Sequence, residues 1–385
     1  MHIGLFTDTF LPVVDGVGRV AVAYAQNLPL LGHQVTVSAP LTDIGYRGGL
    51  PFDLIDFYMT VKVPTAPQYR TGIPLMDAHY RRRMAKTKLD IVHVHSPFIA
   101  GKEGQRVAKA QKVPLIATFH SKYYDDFYKA TKSKTVAEVA VNRIVHFYHQ
   151  CDQVWAVNES TAGVLKTYGF QKEIIVMPNG ATIREVNPEK IVEVEQLYSL
   201  QNLPLLLFVG QLNWKKNIKR VLEATHLLKE KEIPFCLLLV GQGPDQAAIE
   251  SKIKELGLER HARCIGHISD AQLLDALYAR AELLCFPSLY DNAPMVVNEA
   301  AVMGTPPVLI RGSSAADAVT DGVNGYLCED NKEDLAAILE KVLQSPDENK
   351  AIGQKAKETI PLPWIEVMKR SEIYYQLAID KKLND

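Results

Sequence analysis

Residues 203–217 read LPLLLFVGQLNWKKN, an unbroken apolar run that ends in glycine and hands over to a lysine-bearing helix start. Runs without polar alternation belong to strands buried on both faces, which occur in parallel sheets covered by helices. The same order of strand, glycine turn and helix returns at 234–244, PFCLLLVGQGP. Working outward, ARCIGH, ELLCFPS, PPVLI and NGYLCE supply further short strands in the second half of the chain. HIGLFTD, QVTVSA, DIVHVHS, PLIATFH, DQVWAVN and EIIVMPN do so in the first. Helix-length amphipathic segments separate them, so the pattern predicts an α/β protein with two doubly wound parallel sheets.

A chain of 385 residues is too long for one ordinary core. The polar, turn-rich stretch PNGATIREVNPEKIVEVEQLYSLQNLP carries little strand signal and marks the boundary. Residues 1–190 are read as one domain and 191–362 as a second, with a closing helix at 363–385 that packs back across to the first. In open parallel sheets ligands bind beyond the carboxyl ends of the strands, so the residues of interest are those that follow strands.

Apolar residues make up 47% and charged residues 23%, the balance of a folded globular protein rather than a disordered one. Net charge is −1, with a basic excess in the first 190 residues and an acidic excess in the rest. The basic half suits an anionic partner such as a membrane surface, although two differing solvated surfaces give the same count. Five scattered cysteines, Cys151, Cys236, Cys264, Cys285 and Cys328, lack any metal-like pairing and fit a reducing cytoplasm. MHIGLFTDTF reads as a first strand rather than a leader, and no apolar run approaches the roughly 20 residues that cross a bilayer.

Several strand ends carry chemistry. Gly16 and Gly18 open a helix after the first strand, where amides can approach a phosphate, though tight packing explains glycine equally. His95 and His120 end the third and fourth strand candidates, and imidazole there can donate to a substrate oxygen, buffer a proton near neutrality, or be structural. Beside His120 lie Lys122, Tyr123, Tyr124 and Phe127, a mixture suited to an amphiphilic substrate. Lys215 and Lys216 start the helix after LLLFVG, where lysine supplies a point charge to a diphosphate. In FPSLYDNAPMVVNEAAVMG, Asp291 precedes a helix whose first amides, from Met295 onward, form an anion site. Glu299 lies one turn in among apolar residues, and a carboxylate so placed needs partners such as vicinal hydroxyls.

These stretches, with MPNG, IGHISDAQL and DGVNGYL, follow the order and spacing of the retaining glycosyltransferases of family four, which the chain resembles over nearly its whole length. The resemblance implies two Rossmann-like domains facing a central cleft, the GT-B architecture, and transfer of a hexose from a nucleoside diphosphate sugar without a metal. It places Asp291 and Glu299 on the family's paired acids, the first toward the transferred sugar and the second on the ribose. By the same likeness Met295 and Val296 give amides to the diphosphate, Lys216 neutralises it and Gly16 approaches it. His120 contacts the sugar, and the backbone of Ile268 reads the base. Asn292 and Ala293 complete the donor turn.

Three positions depart from the family pattern. Gln211 stands where an arginine is usual, Asp291 is one methylene shorter than the usual Glu, and Pro294 removes an amide that glycine would offer. FHSKYYDDFY is similar to diacylglycerol glucosyltransferases, and IPLMDAHYRRRMAK sets Arg81, Arg82, Arg83 and Lys86 beside Ile73, Met76, Tyr80 and Met84. That composition fits a helix lying on an anionic membrane, and a solvated helix face gives the same run. The expectation is therefore glucosyl transfer from UDP-glucose to a membrane lipid such as diacylglycerol, at the inner face of the membrane. A polysaccharide or other glycoconjugate acceptor stays open, as does a nucleotide-sugar-binding protein without transferase activity.

Overall fold

The structure, a computed structural model, describes residues 1–11, 15–41, 49–58, 60–63, 66–200 and 203–384. The chain forms two compact units, Met1–Asn179 with Trp364–Asp385, and Gly180–Pro363.

The first unit contains β1 (His2–Phe6), β2 (Gln34–Pro40), β3 (Asp53–Phe57), β4 (Thr60–Val63), β5 (Ala66–Gly72), β6 (Ile91–Val94), β7 (Leu115–Phe119), β8 (Gln153–Ala156) and β9 (Ile175–Val176). Seven of these make a sheet in the order β3-β2-β1-β6-β7-β8-β9, parallel throughout, while β4 and β5 form a separate antiparallel pair. The second unit contains β10 (Leu205–Val209), β11 (Cys236–Val240), β12 (Ala262–Gly266), β13 (Leu283–Cys285), β14 (Pro307–Ile310) and β15 (Tyr326–Cys328). They form a parallel sheet in the order β12-β11-β10-β13-β14-β15. Both orders are Rossmann-like: the winding reverses beside the first strand, between β1 and β6 and between β10 and β13.

Every strand of the second sheet coincides with a strand candidate read from the sequence, and β10, β11, β13 and β14 are buried throughout, while the edge strand β12 is only partly so. All five residues of β10 are buried, and so are all five of β11. Phe208 of β10 stacks on Phe286 at 5.8 Å, which fastens the ends of β10 and β13 to each other. The strand β3, DLIDF, was not expected. It forms the edge of its sheet and alternates in exposure, so Asp53 and Asp56 interrupt the apolar signal.

The last helix, Trp364–Asn384, belongs to the first unit. Tyr375 is buried there with its hydroxyl 2.7 Å from Nδ1 of His93, and the Gln153 side-chain Nε2 donates to the Tyr374 carbonyl at 3.1 Å. Two chain segments run together where the units divide in sequence: the Ala181 amide donates to the Leu362 carbonyl at 2.7 Å. All five cysteines are free thiols.

Candidate functional site

In the second unit the glycine turns are explained by backbone packing. A Cβ on Gly241 would lie 1.9 Å from the Gly210 carbonyl oxygen, and one on Gly243 would lie 2.3 Å from that of Leu212. Gly210 N–H donates to Val240 O at 3.0 Å and Leu212 N–H to Gln242 O at 3.1 Å, so the turns after β10 and β11 lie backbone on backbone. VGQGP is thereby a buttress, and the turn it supports presents Asn213 to Lys216. Asn213 caps the short 3-10 turn Trp214–Lys216 by accepting from the Lys215 amide. Asn217, with φ of 59°, redirects the chain into the helix Ile218–Glu230, and its side chain donates to Pro287 O at 3.1 Å. That bond ties the turn after β10 to the loop after β13.

Lys216 and Asp291 meet because of this tie. Lys216 Nζ lies 2.5 Å from Asp291 Oδ1, and the Ser288 hydroxyl donates to Oδ2 at 2.6 Å. The amides of Tyr290 and Asp291 both point at Ser288 Oγ, at 3.2 and 3.3 Å, so the turn from 288 to 291 closes on a buried hydroxyl. The ring of Tyr290 lies 4.8 Å from Lys215 Nζ and 5.7 Å from Lys216 Nζ. Gln211, just upstream, is exposed. The helix Met295–Val302 follows, and its N-cap Pro294 offers no side-chain acceptor, which leaves its first amides suited to an anion. Asn292 is buried and Ala293 half-buried in the turn before it.

One turn along that helix, Glu299 is half-buried and accepts from the Tyr278 hydroxyl at 3.1 Å. Arg184, from the segment entering the second unit, pairs through two nitrogens with the buried Asp275. That pairing, helped by the field of Glu299, holds the Arg184 guanidinium above its ordinary pKa. Ile268, just beyond β12, is half-buried against the core of the same unit. Arg184, Asp275, Tyr278 and Ser288 escaped the sequence reading, since none belongs to a local pattern and their partnerships are long-range or made within a turn.

In the first unit, Asp15 caps the helix Gly16–Asn27 by accepting from Gly18 N–H at 2.8 Å, and the Thr9 hydroxyl donates to the same oxygen at 2.9 Å. A Cβ on Gly18 would meet Thr9 at 3.1 Å, whereas one on Gly16 meets nothing within 4 Å. Packing among the described residues thus accounts for Gly18 and leaves Gly16 open to a ligand.

Three histidines gather near the ends of β6 and β7. His95 Nδ1 lies 3.3 Å from His120 Nε2, and the rings of His93 and His95 are 4.3 Å apart. His93 also contacts the Thr118 hydroxyl through Nε2, at 2.7 Å. Burial lowers His120 to about 4 and His93 to about 3, and holds His95 well below the ordinary value. All three are therefore neutral near pH 7, so His120 is fit to hydrogen-bond and not to buffer a proton there. At the end of β1, Asp8 accepts from Ala100 N–H at 3.0 Å through Oδ1 and its amide donates to Ser96 Oγ at 2.8 Å. Burial raises its carboxyl to about 6.

The aromatic and basic residues divide. Tyr123 is buried against Phe98 and Phe119, with ring centroids at 5.5 and 5.7 Å, which makes it part of the core and not a surface contact. Tyr124 is half-buried and stacks on Tyr128 at 6.4 Å. On the helix Ala78–Lys86, Arg81, Arg82, Arg83 and Lys86 are exposed, but Tyr80 and Met84 are buried. The Tyr80 hydroxyl is 2.8 Å from Ser38 Oγ, so the helix spends its apolar stripe on its own domain. Arg83 is drawn back to the Leu54 carbonyl at 2.9 Å. Ile73, Leu75 and Met76, immediately before this helix, remain more than half exposed. No helix among the described residues is long and apolar enough to cross a membrane.

Two parallel Rossmann-like α/β domains, with ionic and amide donors gathered at a strand switch point, define the GT-B class of glycosyltransferases. Family comparison agrees: residues 14–185 match the model of Glycosyltransferase Family 4, and residues 190–359 match that of the glycosyl transferases group 1. The chain belongs to the family-four glycosyltransferases and is a hexosyltransferase of that type. It is 24% identical over 406 residues to an alpha-monoglucosyldiacylglycerol synthase of Acholeplasma laidlawii, covering 100% of both chains. It is also 24% identical to a GDP-mannose-dependent alpha-mannosyltransferase of Corynebacterium glutamicum, over 89% of this chain and 81% of the other. The fold is similar to that of Anabaena HepE, solved in complex with UDP, with a TM-score of 0.78 at 17% identity over 98% of this chain and 100% of that one.

Proposed function

We propose that the protein transfers glucose from UDP-glucose, with retention of configuration, to a hydroxyl of a membrane lipid such as diacylglycerol. The observation that carries the donor reading is the ion pair of Lys216 with Asp291, four residues before the helix Met295–Val302, whose N-cap Pro294 supplies no side-chain cap. A cation and free amides there suit a diphosphate leaving group, which needs charge stabilisation more than a proton. Glu299, steadied by Tyr278, takes the ribose hydroxyls, Ile268 meets the base through its backbone, and Gly16 lets an amide approach the phosphates. His120 donates to the sugar as a neutral imidazole. The bond from the anomeric carbon to the phosphate oxygen breaks, the acceptor oxygen bonds to that carbon on the same face, and the acceptor's proton passes to the departing phosphate. No step calls for a metal.

The synthase relative supports glucose and a diacylglycerol acceptor, and HepE, also solved with UDP-glucose, supports uridine. A lipid surface is further supported by Arg81, Arg82 and Lys86 standing exposed beside Ile73, Leu75 and Met76. Such a protein works from the cytoplasmic side of a membrane it touches without crossing. The mannosyltransferase relative, equal in identity, supports GDP-mannose as a second reading.

A thermal-shift screen of UDP- and GDP-sugars, followed by transfer assays with diacylglycerol in mixed micelles and NMR of the product's anomeric proton, tests the proposal. UDP-glucose stabilisation and an α-linked glucolipid are expected; stabilisation by GDP-mannose alone would move the assignment to the second reading. Flotation on liposomes with anionic lipid is expected to depend on Arg81, Arg82 and Lys86, and binding indifferent to lipid charge would remove the membrane surface from the account.

A further inference from the structure

We infer that Asp291 is a tethered counter-ion from which the donor's diphosphate must win Lys216, an inference that rests on the donor reading above. Both of its carboxylate oxygens already accept a short bond, Oδ1 from Lys216 at 2.5 Å and Oδ2 from Ser288 at 2.6 Å. The carboxylate has little freedom to leave. Ser288 is fully buried, its hydroxyl also receives the amides of Tyr290 and Asp291, and the aspartate stem is too short to reach elsewhere while that turn stays closed. Lysine has the opposite character: a flexible stem carries a compact charge that can change partners. The ion pair is mostly buried, with 16% and 18% of the two side chains exposed, so each charge depends on the other when no ligand is present.

A diphosphate arriving at the amides of Met295 and Val296 brings negative charge beside an aspartate that already occupies the lysine. Binding then exchanges one anion for another on Lys216 and places Asp291 next to the phosphates as a like charge. Two consequences follow. Affinity for the nucleoside diphosphate is held below what the lysine and the amides alone would give. Release of that product is hastened, because Lys216 has a partner to return to. A long-chained acid at 291 would be free to turn toward the sugar, whereas aspartate, fastened at Ser288, acts on the phosphates through Lys216.

The test is calorimetric titration of UDP and of GDP, without sugar, into the intact wild-type protein and into Asp291→Asn. The expected result is tighter binding by the variant of whichever nucleotide the wild type takes, by about three- to tenfold, the range of a partly screened ion pair. A slower dissociation rate in stopped-flow and stronger product inhibition should accompany it, although transfer itself falls. An aspartate that serves only to touch the sugar predicts unchanged nucleotide affinity, and that result, or weaker binding, would overturn the inference. Asp291→Ser carries the same expectation if the asparagine variant is unstable. A wild-type protein that binds neither nucleotide would instead overturn the donor reading on which the inference rests.

Discussion

Where β6 and β7 of the first unit end, His95 and His120 are buried, and Asp8 after β1 is half-buried. Where β10 and β13 of the second unit end, Lys216 and Asp291 are ions that retain contact with water. His93, His95 and His120 carry no charge near neutrality, while Lys216 and Asp291 each depend on the charge of the other. The same Rossmann-like winding has thus been given two chemistries. One set of strand ends holds neutral hydrogen-bonding rings, and the other a cation with its counter-ion.

Removing the charge from the second set should have the largest effect. Lys216→Ala is expected to lower kcat/KM about 10²- to 10³-fold, the usual loss for a group that stabilises developing charge. A variant within threefold of wild type in steady-state assays would erase the contrast between the two units.

The first set should reveal itself through acid sensitivity. Each histidine is held below the ordinary 6.5, so between that pH and about 4 the unfolded chain binds protons that the folded one refuses. Stability contributed by the neutral rings is complete above pH 6.5 and is lost as pH falls. Asp8 works in the opposite sense: its carboxyl is raised to about 6, so it favours the folded state as pH falls toward 3.8. Three sites against one leave a net loss on the order of 3 kcal/mol per pH unit near pH 5. Urea unfolding from pH 7 to 4.5 measures it, and a flat profile would show the cluster to be hydrated and ordinary.

Two glycines separate packing from binding. Gly243→Ala places a Cβ against the Leu212 backbone and should cost about 3 kcal/mol of stability. Gly16→Ala has room and should cost under about 0.5 kcal/mol, while weakening UDP binding about tenfold. Thermal melts and titrations of both variants should show these losses falling on different measurements. The smallest change expected is from Gln211→Arg, which adds a cation at an exposed position of the turn after β10 and should tighten UDP about threefold. Calorimetry at two salt concentrations would show whether that gain is electrostatic.

How much of this was legible in the sequence depended on burial and on distance along the chain. LLLFV and CLLLV announced themselves because nothing polar can face either side of a covered parallel strand. DLIDF did not, since an edge strand tolerates acids. Lys216 and Asp291 were each legible as residues that follow a strand. Their pairing was not, because it joins positions 75 residues apart through loops tied by Asn217. Arg184 and Asp275, 91 residues apart, gave no signal for the same reason. The run around Tyr80 and Met84 misled in a different way. Amphipathic spacing records that one helix face is apolar and not what covers it, and here the cover is the helix's own domain.

The last helix has a consequence for how the molecule is made. His93 is completed by the hydroxyl of Tyr375, 282 residues later in the chain, and Ser371 reaches Tyr24 in the same way. A ribosome that has finished the first sheet has therefore not finished the first domain. The second domain can close as soon as its own strands are out, but the histidine cluster must wait, partly uncovered, for the helix Trp364–Asn384 to arrive. This half of the fold becomes whole only when a helix made late in synthesis returns to strands made some 282 residues earlier.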